Sequence, residues 1–351
     1  MLGLMQQQPL LVSSIIRHAA RHHGTTEVVS QMTETVRHRT TYAALERRCR
    51  QLSRVLQSLG VKFGDCIGTM AWNTYRHLEL FYGVSGMGAV CHTINPRLAP
   101  RDIEYIITHA GDSLLFVDAS FADLIENIAP AMGDSVRGVV MMTTADDMPT
   151  LKLPPGMALY CYESLMADTG DDYVWPQFDE NTAAALCYTS GTTGRPKGVL
   201  YSHRSTVLHA YAANLADAFG LRATDRMMPG APMFHAAAWS VPYTVPMAGA
   251  TLILPGRHLD PASVVRLLNE ERVTMTGAVP TVWLAVLGHL RETGQRLPHL
   301  KQIFSGGSAV PRAMIEGFAE FGVEVQHGWG MTETSPLVSC FAATARTEGL
   351  T

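Results

Sequence analysis

What most constrains the fold of this 351-residue chain is the recurrence of short, wholly apolar segments between stretches of helical period. A strand with one wet face alternates apolar and polar residues. A strand that is apolar throughout must be covered on both faces, which a parallel sheet flanked by helices achieves. Residues 66–71, 89–94, 114–118 and 136–142 read as such strands, with 75–87 a helix among them. The pattern resumes with strands at 184–189, 198–202, 251–255, 274–279 and 302–305, and with helices at 261–271, 282–292 and 311–321. Pro261 and Pro311 stand at first-turn positions, where a missing N–H costs nothing. Nearer the start, Thr40 or Thr41 can cap a helix whose apolar face runs Leu45, Cys49, Leu52, Leu56 and Leu59, closed by Gly60.

Between about 148 and 181 the alternation weakens into prolines (Pro149, Pro154, Pro155, Pro176) and acids, which reads as a connection between two α/β units. The expected division is therefore 1–180, 181–338 and a tail, 339–351. Apolar residues at 47% and charged residues at 17% are enough to bury a large core. With 27 Lys plus Arg against 31 Asp plus Glu and no basic block, nucleic acid is a poor partner. No apolar run approaches the ~20 residues of a bilayer span, so any membrane contact is peripheral. The N-terminus has no basic n-region, and the six cysteines show no metal-site or Cys-x-x-Cys spacing. Together these features suit a reducing cytoplasm.

The segment Tyr188-Thr189-Ser190-Gly191-Thr192-Thr193-Gly194-Arg195-Pro196-Lys197-Gly198 carries the chemistry. Its three glycines permit tight turns with exposed N–H groups, four hydroxyls fall within five residues, and Lys197 adds a compact charge. Such a loop is suited to a polyphosphate. It is not a Walker A loop, because Pro196 precedes the lysine and Gly198 follows it. Both flanks read as strands, so the loop should join two strands rather than open a helix.

This loop closely resembles the phosphate loop of the adenylate-forming superfamily. Ser305-Gly306-Gly307-Ser308-Ala309 resembles that family's adenine-side turn, and Gly328-Trp329-Gly330-Met331-Thr332-Glu333-Thr334 its second nucleotide motif, with Trp329 where Tyr is usual. The segments Pro232-Met233-Phe234-His235-Ala236-Ala237-Ala238-Trp239 and His92-Thr93-Ile94-Asn95-Pro96-Arg97-Leu98 look most like bacterial medium- and long-chain fatty acyl-CoA synthetases. His235 stands where amino-acid-activating relatives carry Asp, which argues against an α-amino acid substrate.

The resemblance implies two stacked α/β sheet subdomains, a layered αβαβα arrangement, without most of a following β-barrel and C-terminal lid domain. It implies two half-reactions: a fatty acid carboxylate attacks ATP to give acyl-AMP, and the thiol of CoA then displaces AMP. By the same match Thr189 and Glu333 would coordinate Mg²⁺, and Ser190, Gly191, Thr192, Thr193, Gly194 and Lys197 would cradle the phosphates. Thr332 would donate to the α-phosphate, and Ala236, Gly307, His327, Gly328 and Trp329 would line the nucleotide. His235 would lie near the carboxylate, and Trp239 would gate the acyl tunnel. Plainer roles are available for several of these: a helix cap for Glu333, core packing for Trp329 and Trp239, a structural role for His235, a solvated hairpin for Lys197. The resemblance also implies a homodimer, of which the residues themselves give no sign. The family's catalytic lysine belongs to the lid domain, so the expectation for this chain alone is weak adenylation and almost no thioester formation. Two alternatives stay open: adenylation of an aromatic or branched acid, and a nucleotide- or acyl-adenylate-binding module without turnover.

Overall fold

The computed structural model describes every residue except 2, 134, 190–193 and 342–351. The chain opens with α1 (Val12–His22), the hairpin β1 (Glu27–Gln31) and β2 (Arg37–Thr41), and α2 (Tyr42–Ser58). It continues through β3 (Cys66–Met70), α3 (Tyr75–Gly86), β4 (Val90–Thr93), α4 (Pro100–Ala110), β5 (Asp112–Val117), α5 (Ala122–Ile128) and β6 (Gly138–Met141). Next come β7 (Ala158–Cys161), α6 (Tyr162–Ala167), β8 (Ala183–Thr189), β9 (Lys197–Ser202) and α7 (His203–Ala213). The remainder is β10 (Arg226–Pro229), α8 (Val241–Ala248), β11 (Thr251–Leu254), α9 (Pro261–Glu270), β12 (Met275–Ala278), α10 (Pro280–Thr293), β13 (Gln302–Ser305), α11 (Arg312–Ala319), β14 (Glu324–Gly330) and β15 (Leu337–Phe341).

These strands form an eight-stranded sheet in the order β15-β14-β13-β12-β10-β11-β1-β2 and a seven-stranded sheet in the order β7-β6-β5-β3-β4-β8-β9. Both are parallel except at β1–β2, β14–β15 and β8–β9. The two-residue period of each strand divides its side chains between two apolar layers. In the larger sheet Val28, Met227, Leu252 and Phe304 enter the central core, while Val29, Met228, Ile253 and Ile303 pack outward against α9, α10 and α11. In the smaller sheet Leu114, Phe116 and Val140 face the centre, while Leu115, Val117, Val139 and Met141 pack outward with α4 and α5. The central layer is filled by α1, α2, α3, α7 and α8, so the order of layers is αβαβα, as the resemblance implied.

The topology cuts across the expected boundary at residue 180. The β1–β2 hairpin joins the larger sheet, because β1 pairs in parallel with β11, and β8–β9 complete the smaller one beside β4. The segment expected to be a connection holds β7 and α6, and Ser339–Phe341 belong to β15 rather than to a separate tail. Thr41 is the helix cap, its hydroxyl accepting from the Ala44 N–H at 3.4 Å.

Helix α3 is buried on every side, charged residues included. Glu79 is tolerated there because Arg48 donates to it through Nε at 2.5 Å and the Tyr162 hydroxyl donates at 2.6 Å. Helix α2 meets α3 at Gly83, where a Cβ would lie 2.8 Å from Leu52 Cδ2 and 3.1 Å from the Cys49 carbonyl. Gly83→Ala is therefore expected to cost about 1–3 kcal/mol of stability through overpacking, read as a lowered thermal unfolding midpoint. An unchanged midpoint would show that these helices can separate freely.

Burial pushes the imidazoles of His77, His203 and His209 down to about 4. Two of them accept backbone N–H groups: His203 Nδ1 from Val12 at 3.1 Å and His209 Nε2 from Leu337 at 3.0 Å. Groups whose folded value lies below the unfolded one stabilise the fold above about pH 6.5, and this is lost as pH falls toward 4. Histidine NMR titrations should show these rings neutral in the folded protein at pH 5; protonation near 6.5 would contradict the assigned burial.

Candidate active site

The seam between the two sheets opens at the carboxyl ends of the parallel strands, where open α/β folds bind ligands. A cavity of about 200 Å³ lies there. One wall is backbone-rich and polar: Ser305 at the end of β13 with Gly306 and Gly307 after it, Gly328 to Gly330 at the end of β14, and Thr332 in the turn beyond. The other wall is apolar, formed by Phe219, Ala236, Trp239 and Phe304. The two strand-end turns come so close that a Cβ at Gly306 would stand 2.4 Å from the Gly328 carbonyl. Glycine is needed there for contact, not for flexibility.

The segment after β10 departs most from ordinary backbone. Ala236, Ala237, Ala238, Trp239 and Ser240 all have positive φ, between 44° and 68°, which makes one turn of left-handed helix from L-residues. Such a turn costs roughly 1–2 kcal/mol per residue and needs support from its surroundings. The Thr244 hydroxyl donates to the Ser240 carbonyl at 2.9 Å, and the three alanine side chains are buried. The turn carries Trp239 over the floor of the cavity, where Cζ3 lies 3.4 Å from the Cβ position of Gly277. Phe219 and Phe304 meet edge to face beside it, with centroids 4.2 Å apart. At the rim, desolvation by the surrounding protein lowers the pKa of His235 and favours its neutral form.

The cavity thus unites His235, Ala236, Trp239, Gly307, Gly328, Trp329 and Thr332 from the sequence reading. Trp329 is 52% exposed, so it is not core packing. Thr189 and Lys197 are not in its wall; they form the register pair that closes the β8–β9 hairpin, which is the strand-to-strand connection expected of the loop. Glu333 is exposed beside Thr332, and His327, one residue before Gly328 on β14, does not line the cavity. Ser190, Gly191, Thr192 and Thr193 lie outside the described residues, while Gly194 is described and exposed.

Three residues that sequence reasoning missed tie the parts together across the seam. Asn73 leaves the end of β3 and grips the chain that leads to His235: its Nδ2 donates to the Pro229 and Ala231 carbonyls at 3.1 and 2.9 Å. Its Oδ1 accepts from the Met233 N–H at 2.7 Å. Tyr201, on the strand that begins at Lys197, donates its hydroxyl to the Thr332 carbonyl at 2.6 Å. Burial, reinforced by Cys187 and Glu333, raises the Tyr201 phenol above its ordinary value, so it stays a donor. His209 on α7 accepts from Leu337 just beyond the same turn. In the sequence, a polar Asn shortly after an apolar strand was the one available signal; Tyr201 and His209 follow ordinary strand and helix patterns.

A protein-family model described as AMP-binding enzyme matches residues 15–350, and the chain belongs to that family. It is 48% identical over 339 residues to the 3-methylmercaptopropionyl-CoA ligase of Ruegeria lacuscaerulensis, covering 96% of this chain and 62% of that protein. It is 44% identical over 337 residues to the medium-chain-fatty-acid–CoA ligase of Ectopseudomonas oleovorans, covering 96% of this chain and 61% of that protein. The chain thus spans roughly three fifths of the length of these relatives. Among solved structures, the anthranilate CoA ligase AuaEII in complex with anthranoyl-AMP superposes with a TM-score of 0.84 at 23% identity, over 95% of this chain and 62% of that one, a likeness of fold.

Tyr201→Phe removes one hydrogen bond and leaves the buried Thr332 carbonyl unpaired, a loss of about 1–3 kcal/mol. Because that bond joins the strand of Lys197 to the turn of Thr332, calorimetric affinity for a non-hydrolysable ATP analogue with Mg²⁺ should drop about tenfold with circular dichroism unchanged. Unaltered affinity would mean that the turn is held independently of β9.

Proposed function

We propose that this chain supplies the ATP- and acid-binding part of an AMP-forming acyl-CoA ligase for a medium- or long-chain fatty acid. The observation that carries the reading is a single cavity with a backbone-rich polar wall and an aromatic-aliphatic wall, joined at His235 and Ala236. A nucleotide and an alkyl carboxylate would meet at that junction, and family membership supplies the reaction class. In the first half-reaction a carboxylate oxygen attacks the α-phosphorus of ATP, and the bond to the pyrophosphate oxygen breaks. An anion meets a polyanion, so the work of the protein is positioning and charge neutralisation.

Gly307, Gly328 and the half-exposed Trp329 would receive the adenine, and Thr332 would donate its hydroxyl to the α-phosphate. Lys197, with Ser190 to Gly194, would hold the β- and γ-phosphates and then the departing pyrophosphate. Neutral His235 would meet the carboxylate without fixing it as an ion pair. Thr189 and Glu333 offer oxygen donors, which suit Mg²⁺. No group of three or more His, Cys, Asp or Glu stands together among the described residues, so most of the metal's shell would come from phosphate oxygens and water. When bound, that ion neutralises charge on the phosphates. The second half-reaction breaks the acyl–AMP bond as the CoA thiol attacks the carbonyl.

A second reading, activation of a short acid, is favoured by the aromatic closure. With Trp239 above Gly277 and Phe219 against Phe304, about 200 Å³ leaves little room for a long chain in this conformation. The name of the Ruegeria relative points to a short thioether acid.

Calorimetry with non-hydrolysable acyl-AMP analogues of increasing alkyl length, plus thioether, aromatic and aminoacyl versions, separates the readings. Each buried methylene adds at most ~0.8 kcal/mol, about fourfold in affinity. A fatty acid site gives a rise through medium lengths and then a plateau. A plateau after three or four carbons, moved to longer chains by Trp239→Ala, supports the short-acid reading. Affinity indifferent to chain length in both proteins would sink both.

A further inference from the structure

The motif that ends β8 and opens β9 holds two large side chains to which the ligase reading gives no task, Tyr188 and Arg195. Tyr188 directly precedes Thr189, and Arg195 stands two residues before Lys197. Both reach the same helix. The Tyr188 hydroxyl lies 2.6 Å from Nδ1 of His109 on α4, and the Arg195 guanidinium sits over the ring of Tyr105 on α4, 5.1 Å from its centroid. Tyr105 and His109 are one helical turn apart with ring centroids separated by 5.2 Å, so they form one aromatic face. Burial, reinforced by the Asp112 carboxylate, pushes the Tyr188 phenol up to about 12, so its hydroxyl keeps its proton and donates it to His109.

Other sides of the Tyr188 ring are occupied as well. It faces the His92 ring with centroids 5.2 Å apart, and the fully buried His92 is itself fixed, its Nδ1 2.7 Å from Asp112 Oδ2. Across the hairpin, a Cβ at Gly198 would lie 3.3 Å from Tyr188 Cζ, so the ring lies against the residue that follows Lys197. β9 is the edge strand of its sheet, and Thr189 and Lys197 are the last register pair joining it to β8. A hairpin end held by one ladder alone frays readily. Helix α4 supplies a second hold, on both strands at once.

We propose that Tyr105 and His109 are positioning residues for the phosphates of ATP: α4 grips Tyr188 and Arg195, and through them fixes the hairpin end that presents Thr189 and Lys197. The proposal rests on the ligase reading, in which those two residues serve the triphosphate end of the nucleotide. ATP carries β- and γ-phosphates and acyl-AMP does not. A slackened hairpin end therefore weakens the first ligand and spares the second.

The test is calorimetry on the 351-residue chain with the β,γ-imido analogue of ATP plus Mg²⁺ and, separately, with a non-hydrolysable acyl-AMP analogue. Loss of one exposed hydrogen bond or one exposed cation–π contact costs about threefold in affinity. H109L and Y105L should each weaken the ATP analogue by about that factor, and together about tenfold. Affinity for the acyl-AMP analogue should not change, which with an unchanged circular dichroism spectrum certifies that the variants are folded. H109N, whose amide oxygen can replace Nδ1 as acceptor, should restore the parent value. Y188F should match H109L, and H109L added to Y188F should cost nothing further, because His109 acts through that hydroxyl. Unchanged ATP-analogue affinity in H109L/Y105L, equal weakening of both ligands, or multiplied losses in Y188F/H109L overturns the proposal and leaves the ligase reading standing. Binding of neither ligand by the parent chain overturns the ligase reading, and this proposal with it.

Discussion

Four apolar sheet faces need cover, and that requirement fixes the rest of the molecule. Each strand sends neighbouring side chains in opposite directions, as Val28 and Val29 or Phe116 and Val117 do, so neither sheet can leave a face wet. Helices must fill three layers, and the middle layer serves both sheets at once. Two parallel sheets that share one helical filling bring their strand ends side by side. The cavity opens beside those ends, lined by the ends of β13 and β14 and by the segment after β10.

Burying polar groups at such a seam is costly unless they are paired, and the pairs found there are ties between sheets. Asn73 reaches from the smaller sheet to the chain that presents His235, and Tyr201 reaches from the smaller sheet to the turn of Thr332. These bonds fix parts of the molecule that belong to different sheets, with Lys197 on β9 of the smaller one and Thr332 beyond β14 of the larger. Without fixed ties, the relative position of Lys197 and Thr332 would depend on packing alone.

Much of this was legible in the sequence because it rests on local period and on contiguous motifs. The strand at 302–305 was read to the residue, and the loop between two strands was read from the strand patterns on its two flanks, 184–189 and 198–202. The boundary at residue 180 was not legible, since it depends on which strand β1 chooses, and a five-residue hairpin strand says nothing of β11 two hundred residues later. Asn73, Tyr201 and His209 act through partners more than a hundred residues away, which no period encodes. His327 was assigned to the nucleotide only by the family match of its segment, and the cavity wall begins at the next residue, Gly328.

The left-handed turn from Ala236 to Ser240 restricts how the cavity could diversify. Side chains on such backbone crowd their own carbonyls, and branching at Cβ makes that worse. The buried positions 236–238 can exchange alanine for little besides glycine, so the turn that carries Ala236 and Trp239 into the cavity wall is nearly fixed in bulk. Room for variation lies beside it, on Phe219, Gly277 and Phe304, which occupy ordinary backbone. A lineage of such proteins could shift from one acid to another by trading volume on the sheet side, leaving the turn as an inherited constant.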